Sequence, residues 1–207
     1  MELTLELVSR LIVIASALSL LVFGLSILAV ERLGRRSAPV ERVTGPVALV
    51  NYVGILGFVA VGFVSGATML GTIPAPTDPL HLAIAVLGIA LVMAAGLLAA
   101  WGYRTLGRQF SSDAEVRPDT VLVTRGAFGL VRHPMYLAVL LLWVGSALAL
   151  LSPLMALCLV ALLPAFVVRA LAEERLLTRH FGSAYDAYAA RVPMLVPGWR
   201  MHALTNG

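Results

Sequence analysis

The sequence predicts an all-α, polytopic membrane protein of about five transmembrane helices, ending in a C-terminal helical hairpin and a cytoplasmic C-terminal helical segment. Three observations predict it. Of the 207 residues, 60% are hydrophobic and only 13% charged, with a mean hydropathy of +0.94, a composition beyond that of a water-soluble domain of this length. Apolar runs approaching or exceeding the roughly 20 helical residues that cross a bilayer core recur at 11–30, 46–70, 80–101, 135–151 and 153–172. The basic residues cluster in alternate connections between these runs, as topology signals do.

The first run follows a weak basic flank, Arg10 with Glu2 and Glu6 beside it, and is longer than the apolar core of a secretory leader. It reads as a retained span and not as a cleaved signal peptide. The second carries Gly62 and Gly66 at small-xxx-small spacing, with Gly54 and Gly57 just before, a pattern for close helix packing. These glycines do not form a G-x-G-x-x-G turn after a strand, so a soluble dinucleotide-type fold is not indicated. The third run, 80–101, closes an N-terminal membrane region, 1–101; residues 102–207 form the second region. Its two runs are joined only by Ser152-Pro153. Serine is a good helix N-cap and proline suits the first helical turn, so the pair should make an antiparallel hairpin. Pro164, within the fifth run, marks a bend or a cavity.

Arg32, Arg35, Arg36 and Arg42 fill the first connection, the one at 71–79 has no basic residue, and Arg104, Arg108, Arg117, Arg125 and Arg132 fill the third. Arg175, Arg179, Arg191 and Arg200 follow the last run. The positive-inside rule then puts the amino terminus outside and the carboxyl tail in the cytoplasm. All 15 basic residues are arginine, and with abundant Ala, Val, Leu and Gly this fits a GC-rich bacterial genome and an inner-membrane location. The net charge of +4 and the absence of interleaved aromatics argue against a nucleic-acid partner. Cys158 lies inside an apolar run and reads as a small core hydrophobe. His81, His133, His180 and His202 lack ligand-spaced partners, so no metal is expected.

Chemistry concentrates between Thr120 and Pro197. Thr120 to Gly126 reads as a short extended segment ending in a turn, and Pro134 then fixes a helix start beside Arg132 and His133. The free amides and positive dipole end of that helix suit a carboxylate. If the two legs of the hairpin rise equally, Glu173 and Glu174 return to the depth of His133, with Arg169 one turn earlier and Arg175 and Arg179 after. Charges at that depth are costly unless paired or wetted, and their plain alternative is a solvated interfacial face. Ser183 and Asp186 suit a capping box, Gly182 ends the preceding helix, and Pro193 stops the next. Tyr185 and Tyr188 would share one face, either capping a flat adenine or anchoring at the bilayer interface.

Taken in order, G-A-F-G-L-V-R-H-P-M-Y at 126–136, E-E-R-L-L at 173–177, F-G-S-A-Y-D-A-Y at 181–188 and R-V-P-M-L-V-P at 191–197 resemble the signature of the isoprenylcysteine carboxyl methyltransferase and phospholipid methyltransferase families. The resemblance runs from about Leu106 to Pro197, under half the chain. It implies S-adenosylmethionine as cofactor and a lipophilic or small methyl acceptor bearing a carboxylate, thiol or amine. It also implies a cofactor pocket made by Arg132, His133, Tyr136 and Glu174 with the backbone from Leu122 and Val123 to Gly126, and an acceptor side made by Glu173 and Arg179. The chain has Ala127-Phe128 where the family commonly has Pro-Tyr, and Ala138 where it has Gly, changes expected to reshape the pocket. The family name does not fix the substrate, because bacteria do not normally supply prenylated protein termini.

Two rivals remain. A sterol-type, NADPH-dependent membrane reductase shares the H-P-x-Y helix start and a tyrosine-rich tail, but matches poorly at Glu173-Glu174. A non-catalytic membrane protein would use the same residues only to anchor helices.

Overall fold

The computed structural model describes residues 38–49, 53, 56–57, 60, 79–111 and 113–198. The run at 11–30 and most of that at 46–70, including the Gly62 and Gly66 pair, lie outside the described residues. In order, the chain forms strand β1 (Glu41–Arg42), helix α1 (Pro79–Leu106), a single 3-10 turn (Gly107–Gln109), strand β2 (Glu115–Val116), helix α2 (Ala127–Leu130), helix α3 (Pro134–Ala149), helix α4 (Pro153–Phe181) and helix α5 (Ser183–Ala189).

Helices α1 and α4 have the length and apolarity to cross a membrane, yet only 28% and 22% of their most apolar stretches are buried. The core helix of a soluble protein would be mostly covered. Here Val86, Met93 and Leu97 of α1 and Leu157, Val160 and Leu163 of α4 face outward, as lipid-facing residues do. The equal-legged hairpin expected from the sequence is unequal: α3 has 16 residues and α4 has 29. At 1.5 Å per residue α3 rises only about 24 Å, less than a bilayer core of about 30 Å. The apolar part of α4 ends near Ala172, and the same helix carries on through Glu173 and Glu174 to Phe181.

The hairpin turn follows its residue types. The Ser152 side chain accepts a hydrogen bond from the Met155 amide, 3.3 Å away, and Pro153 opens α4. Leu151 adopts φ +46°, and the Ser152 amide reaches back to the Ala147 carbonyl at 2.9 Å. That is the helix-ending geometry usually given to glycine. Pro164 is exposed on α4 and does not line the cavity described below.

The tightest contact joins α1 to α3, antiparallel. A Cβ added at Gly88 would stand 2.3 Å from the Ala149 amide nitrogen, and one at Gly145 would stand 2.7 Å from the Gly88 carbonyl. Small residues allow the backbones to touch, the means by which membrane helices gain dispersion contacts without hydrophobic drive. Val92, Ala95, Leu142, Trp143, Ala147, Leu150 and Met155 make the core beside this seam, and Cys158 packs against it as a partly buried hydrophobe.

Strands β1 and β2 pair antiparallel, with Glu41 opposite Val116 and Arg42 opposite Glu115. Flanking bonds from Val40 to Val116 and from Val43 to Ala114, both 2.8 Å, extend the ladder. This fragment of sheet departs from a wholly helical reading. Its pairing lies in the backbone, and two-residue strands carry no alternating pattern to read.

Candidate functional site

Where α1, α3 and α4 reach the end of their apolar runs, a cavity of about 200 Å³ opens between them, the 109–123 segment and α5. Pro134 occupies the first position of α3, with His133 as its N-cap. The two residues before the proline are held from behind. The Arg132 amide donates to the Pro193 carbonyl at 2.8 Å and the His133 amide to that of Met194 at 3.1 Å. The C-terminal segment is thereby stitched to the start of α3.

Side chains tighten the same junction. Arg132 Nε donates to Glu174 Oε1 at 2.7 Å, and its Nη1 reaches the carbonyls of Ala189 and Val192, each at 2.8 Å. His133 Nε2 lies 3.1 Å from the same Glu174 oxygen. Because an ionised carboxylate only accepts, that nitrogen carries the proton. Glu174 sits beyond the apolar run of α4. Burial alone would raise its pKa, but the His133 hydrogen bond and the Arg132 guanidinium together hold it below the usual carboxylate value.

A second network lies one turn away. Arg169 is 2% exposed and donates from Nε to the Tyr136 hydroxyl at 3.0 Å, while that hydroxyl donates to Glu173 Oε2 at 3.1 Å. The Nη1 of Arg169 reaches back to the carbonyls of Ala48 at 3.0 Å and Val47 at 3.3 Å. A buried guanidinium is tolerated only when so completely engaged. It ties the residues after the first connection to the cavity wall.

The sequence-predicted residues divide. Leu122, Val123, Arg132, His133, Tyr136 and Glu173 line the cavity, while Glu174 supports the wall from behind through Arg132 and His133. Gly126 is not in the lining. It turns the chain at φ +60°, where a Cβ would stand 2.6 Å from the Thr105 hydroxyl, so both its conformation and its neighbour require glycine. Arg179 is elsewhere: it pairs with Glu41 on the surface at 2.6 Å, and 58% of its side chain is exposed. The geometry does not bring it to the cavity with Glu173, since the helix turns it away and the arginines in the lining are Arg132 and Arg169. Ala138 is fully buried outside the cavity, so only the Phe128 departure touches it.

The tail departs from its expected caps. Gly182, at φ +54°, is the N-cap of α5 with no side-chain cap, so Ser183 and Asp186 form no capping box, and α5 ends at Ala189 before Pro193. Tyr185 and Tyr188 do share a face, with ring centroids 5.8 Å apart, but both are buried against the cavity and not anchored at an interface. Desolvation pushes both phenols up, so they remain protonated. The Tyr188 hydroxyl donates to the Phe128 carbonyl at 2.6 Å, whereas the Tyr185 hydroxyl is buried with no hydrogen-bond partner among the described residues.

Sequence reasoning missed the opposite wall. Gln109, Ser111, Asp113 and Glu115 line it, Gln109 bridging the Asp119 carbonyl and the Val121 amide, and Glu115 pairing with Arg117. Their only signal was polarity in a connection, which solvated loops share.

Residues 83–184 match the family described as phospholipid methyltransferase. The chain is also similar to protein-S-isoprenylcysteine O-methyltransferase B of Arabidopsis thaliana, 31% identical over 120 residues, which are 56% of this chain and 61% of that protein. The chain thus spans about three fifths of the length of the curated relative it matches.

Proposed function

From the match of residues 83–184 to the phospholipid methyltransferase family, we propose that the chain is an S-adenosylmethionine-dependent methyltransferase acting at a membrane on a lipophilic or small acceptor. The observation that carries this reading is the cavity at the end of the apolar helices, which His133, Tyr136 and Glu173 line together with residues 120–123. A cavity so placed meets a water-soluble cofactor on one side and an acyl or prenyl chain on the other. Its volume of about 200 Å³ is below the range of about 300–1,000 Å³ common for ligand sites. The acceptor's apolar part therefore stays outside, in lipid.

The donor set fits the cofactor. A helix leaves the amides of its first turn without intrahelical partners, and in α3 these belong to Met135 and Tyr136, both in the lining. They and the helix dipole suit the methionine carboxylate. Leu122 and Val123 offer apolar and backbone surface to the nucleoside, with the turn at Gly126 setting their course. Arg132 and Glu174 act as positioning residues, since their donors and acceptors are already engaged with the protein. When bound, the cofactor would supply an electrophilic methyl group on a positively charged sulfur, open to displacement by an acceptor's carboxylate, thiolate or amine with the neutral thioether as leaving group.

Little acid–base help is needed for a carboxylate or thiolate, so the protein's task is alignment and exclusion of water, which can lower a barrier by about 7–11 kcal/mol. Glu173, with Arg169 and Tyr136 fixing its rotamer, faces the acceptor and can take a proton from an amine. The C-terminal side of the cavity is taken as cytoplasmic, with the amino terminus across a bacterial inner membrane.

Isothermal titration of the detergent-purified protein with S-adenosylhomocysteine tests the proposal. Saturable binding that Glu173→Ala leaves intact and His133→Ala abolishes is expected. Absence of binding, or saturable binding of NADPH instead, would overturn it in favour of a scaffold or a reductase. Methyl-labelled transfer into membrane extracts then identifies the acceptor class.

A further inference from the structure

The 109–123 wall of the cavity carries a carboxylate that its own neighbours satisfy on one side only. Glu115 lines the cavity with 9% of its side chain exposed, and its Oε1 accepts from both the Ser111 hydroxyl, at 3.0 Å, and Arg117 Nη2. Oε2 has no partner among the described residues, yet it is not one of the buried side-chain atoms left unpaired there. It is therefore open, and the opening beside Glu115 is the cavity.

The ion pair is also oriented. Arg117, with 10% of its side chain exposed, stays out of the lining, so the pair presents its anion and keeps its cation behind. Bonds of 2.8 Å from the Val43 amide to the Ala114 carbonyl and from the Val40 amide to the Val116 carbonyl fix the backbone on both sides of Glu115. Burying an ion pair is costly, and this one leaves an acceptor in reserve at a fixed point of a cavity wall.

The chemistry of that point selects its guest. An ionised carboxylate only accepts, so the guest must donate. Because Arg117 already balances the charge, a cation is not required. The amino edge of adenine presents an acceptor beside its donor, but the donors nearest Glu115, the Ser111 hydroxyl and Arg117 Nη2, are both spent on Oε1. A hydroxyl asks for an acceptor alone.

Resting on the reading of the cavity as an S-adenosylmethionine pocket, we propose that Glu115 Oε2 binds the cofactor's ribose, accepting a hydrogen bond from one of its two hydroxyls. Ser111 and Arg117 are positioning residues that fix the carboxylate. The same segment runs on to Leu122 and Val123, so one wall holds the nucleoside while the first turn of α3 holds the methionine carboxylate.

The test is a set of binding titrations on the detergent-purified full chain. Wild type, Glu115→Gln and Glu115→Asp are each titrated with S-adenosylhomocysteine, its 2′-deoxy and 3′-deoxy forms, and S-inosylhomocysteine, which lacks the 6-amino group. A hydrogen bond to a charged group is worth roughly tenfold or more in affinity. Wild type should bind one of the two deoxy ligands about tenfold more weakly than the parent. Glu115→Gln should bind the parent about tenfold more weakly, and loss of that same hydroxyl should cost it little more. Glu115→Asp keeps the charge beside Arg117 but draws the free oxygen back by one methylene, so it should lose the same discrimination in a protein that retains its ion pair. Unchanged affinity for the parent in both variants, or a deoxy penalty that persists undiminished in them, overturns the assignment. So does a discrimination lost against S-inosylhomocysteine and kept against the deoxy forms, which would give Glu115 to the base. Wild type that binds none of the four overturns the cofactor reading and this assignment with it, a result distinct from binding without coupling.

Discussion

Along the α1–α3 pair, one end is held by what is missing and the other by what is joined. At Gly88 and Gly145 the helices meet backbone to backbone because neither carries a side chain there. At Arg132, His133 and Glu174 the neighbouring segments meet through directed hydrogen bonds that close on shared acceptors. The first kind of contact tolerates no added atom. The second tolerates an isosteric exchange but not the loss of one partner, because a buried charge is then left alone. The rigid seam fixes where α3 begins and ends; the polar junction fixes what surrounds its first turn.

The sharpest way to break this contrast is Gly88→Val. With a Cβ 2.3 Å from a backbone nitrogen, no rotamer relieves the clash, and a loss of more than about 4 kcal/mol is expected. Size-exclusion chromatography in detergent should show an aggregated or absent monomer. A monodisperse variant with unchanged melting would show that the seam is not the tight contact.

Next in size is Glu174→Ala, which strands Arg132 and His133. Removing one member of a buried pair costs about 3–5 kcal/mol, and with 17% of the Glu174 side chain exposed the lower end is expected by thermal unfolding. Acid should act the same way. Glu174 is held below its ordinary value in the folded protein, so its contribution is complete above the ordinary carboxylate value and is lost as pH falls through the lowered one. Glu174→Gln should flatten that acid limb, and an unaltered limb would assign the loss to another group.

Smaller effects separate the tail from the surface. Tyr188→Phe removes the bond to the Phe128 carbonyl and should cost about 1 kcal/mol. Leu151→Gly should stabilise by about 1 kcal/mol, because the hairpin turn holds a leucine at φ +46° where glycine has no Cβ penalty. Arg179→Ala is expected to change stability by no more than about 0.5 kcal/mol and nucleoside affinity not at all, since its partner Glu41 is also exposed. A large loss of affinity in Arg179→Ala would return that residue to the acceptor side.

Composition and run length sufficed for the membrane class, because lipid imposes the same apolar demand on every turn of a spanning helix. The Ser152-Pro153 turn and the proline start of α3 were equally legible, since capping and ring geometry act within a few residues. So was the approach of Glu174 to His133, which follows from one helix returning beside another, although the legs proved unequal. Arg179 misled because spacing along a helix gives depth but not facing, and the buried Arg169 and the exposed Arg179 lie on one helix but on different sides of it. The strand pairing of Glu41–Arg42 with Glu115–Val116, the 109–121 wall and the burial of the Tyr185 hydroxyl could be decided only by tertiary structure. Each depends on contacts between residues distant in sequence, and local residue chemistry carries no record of which distant partner will close them.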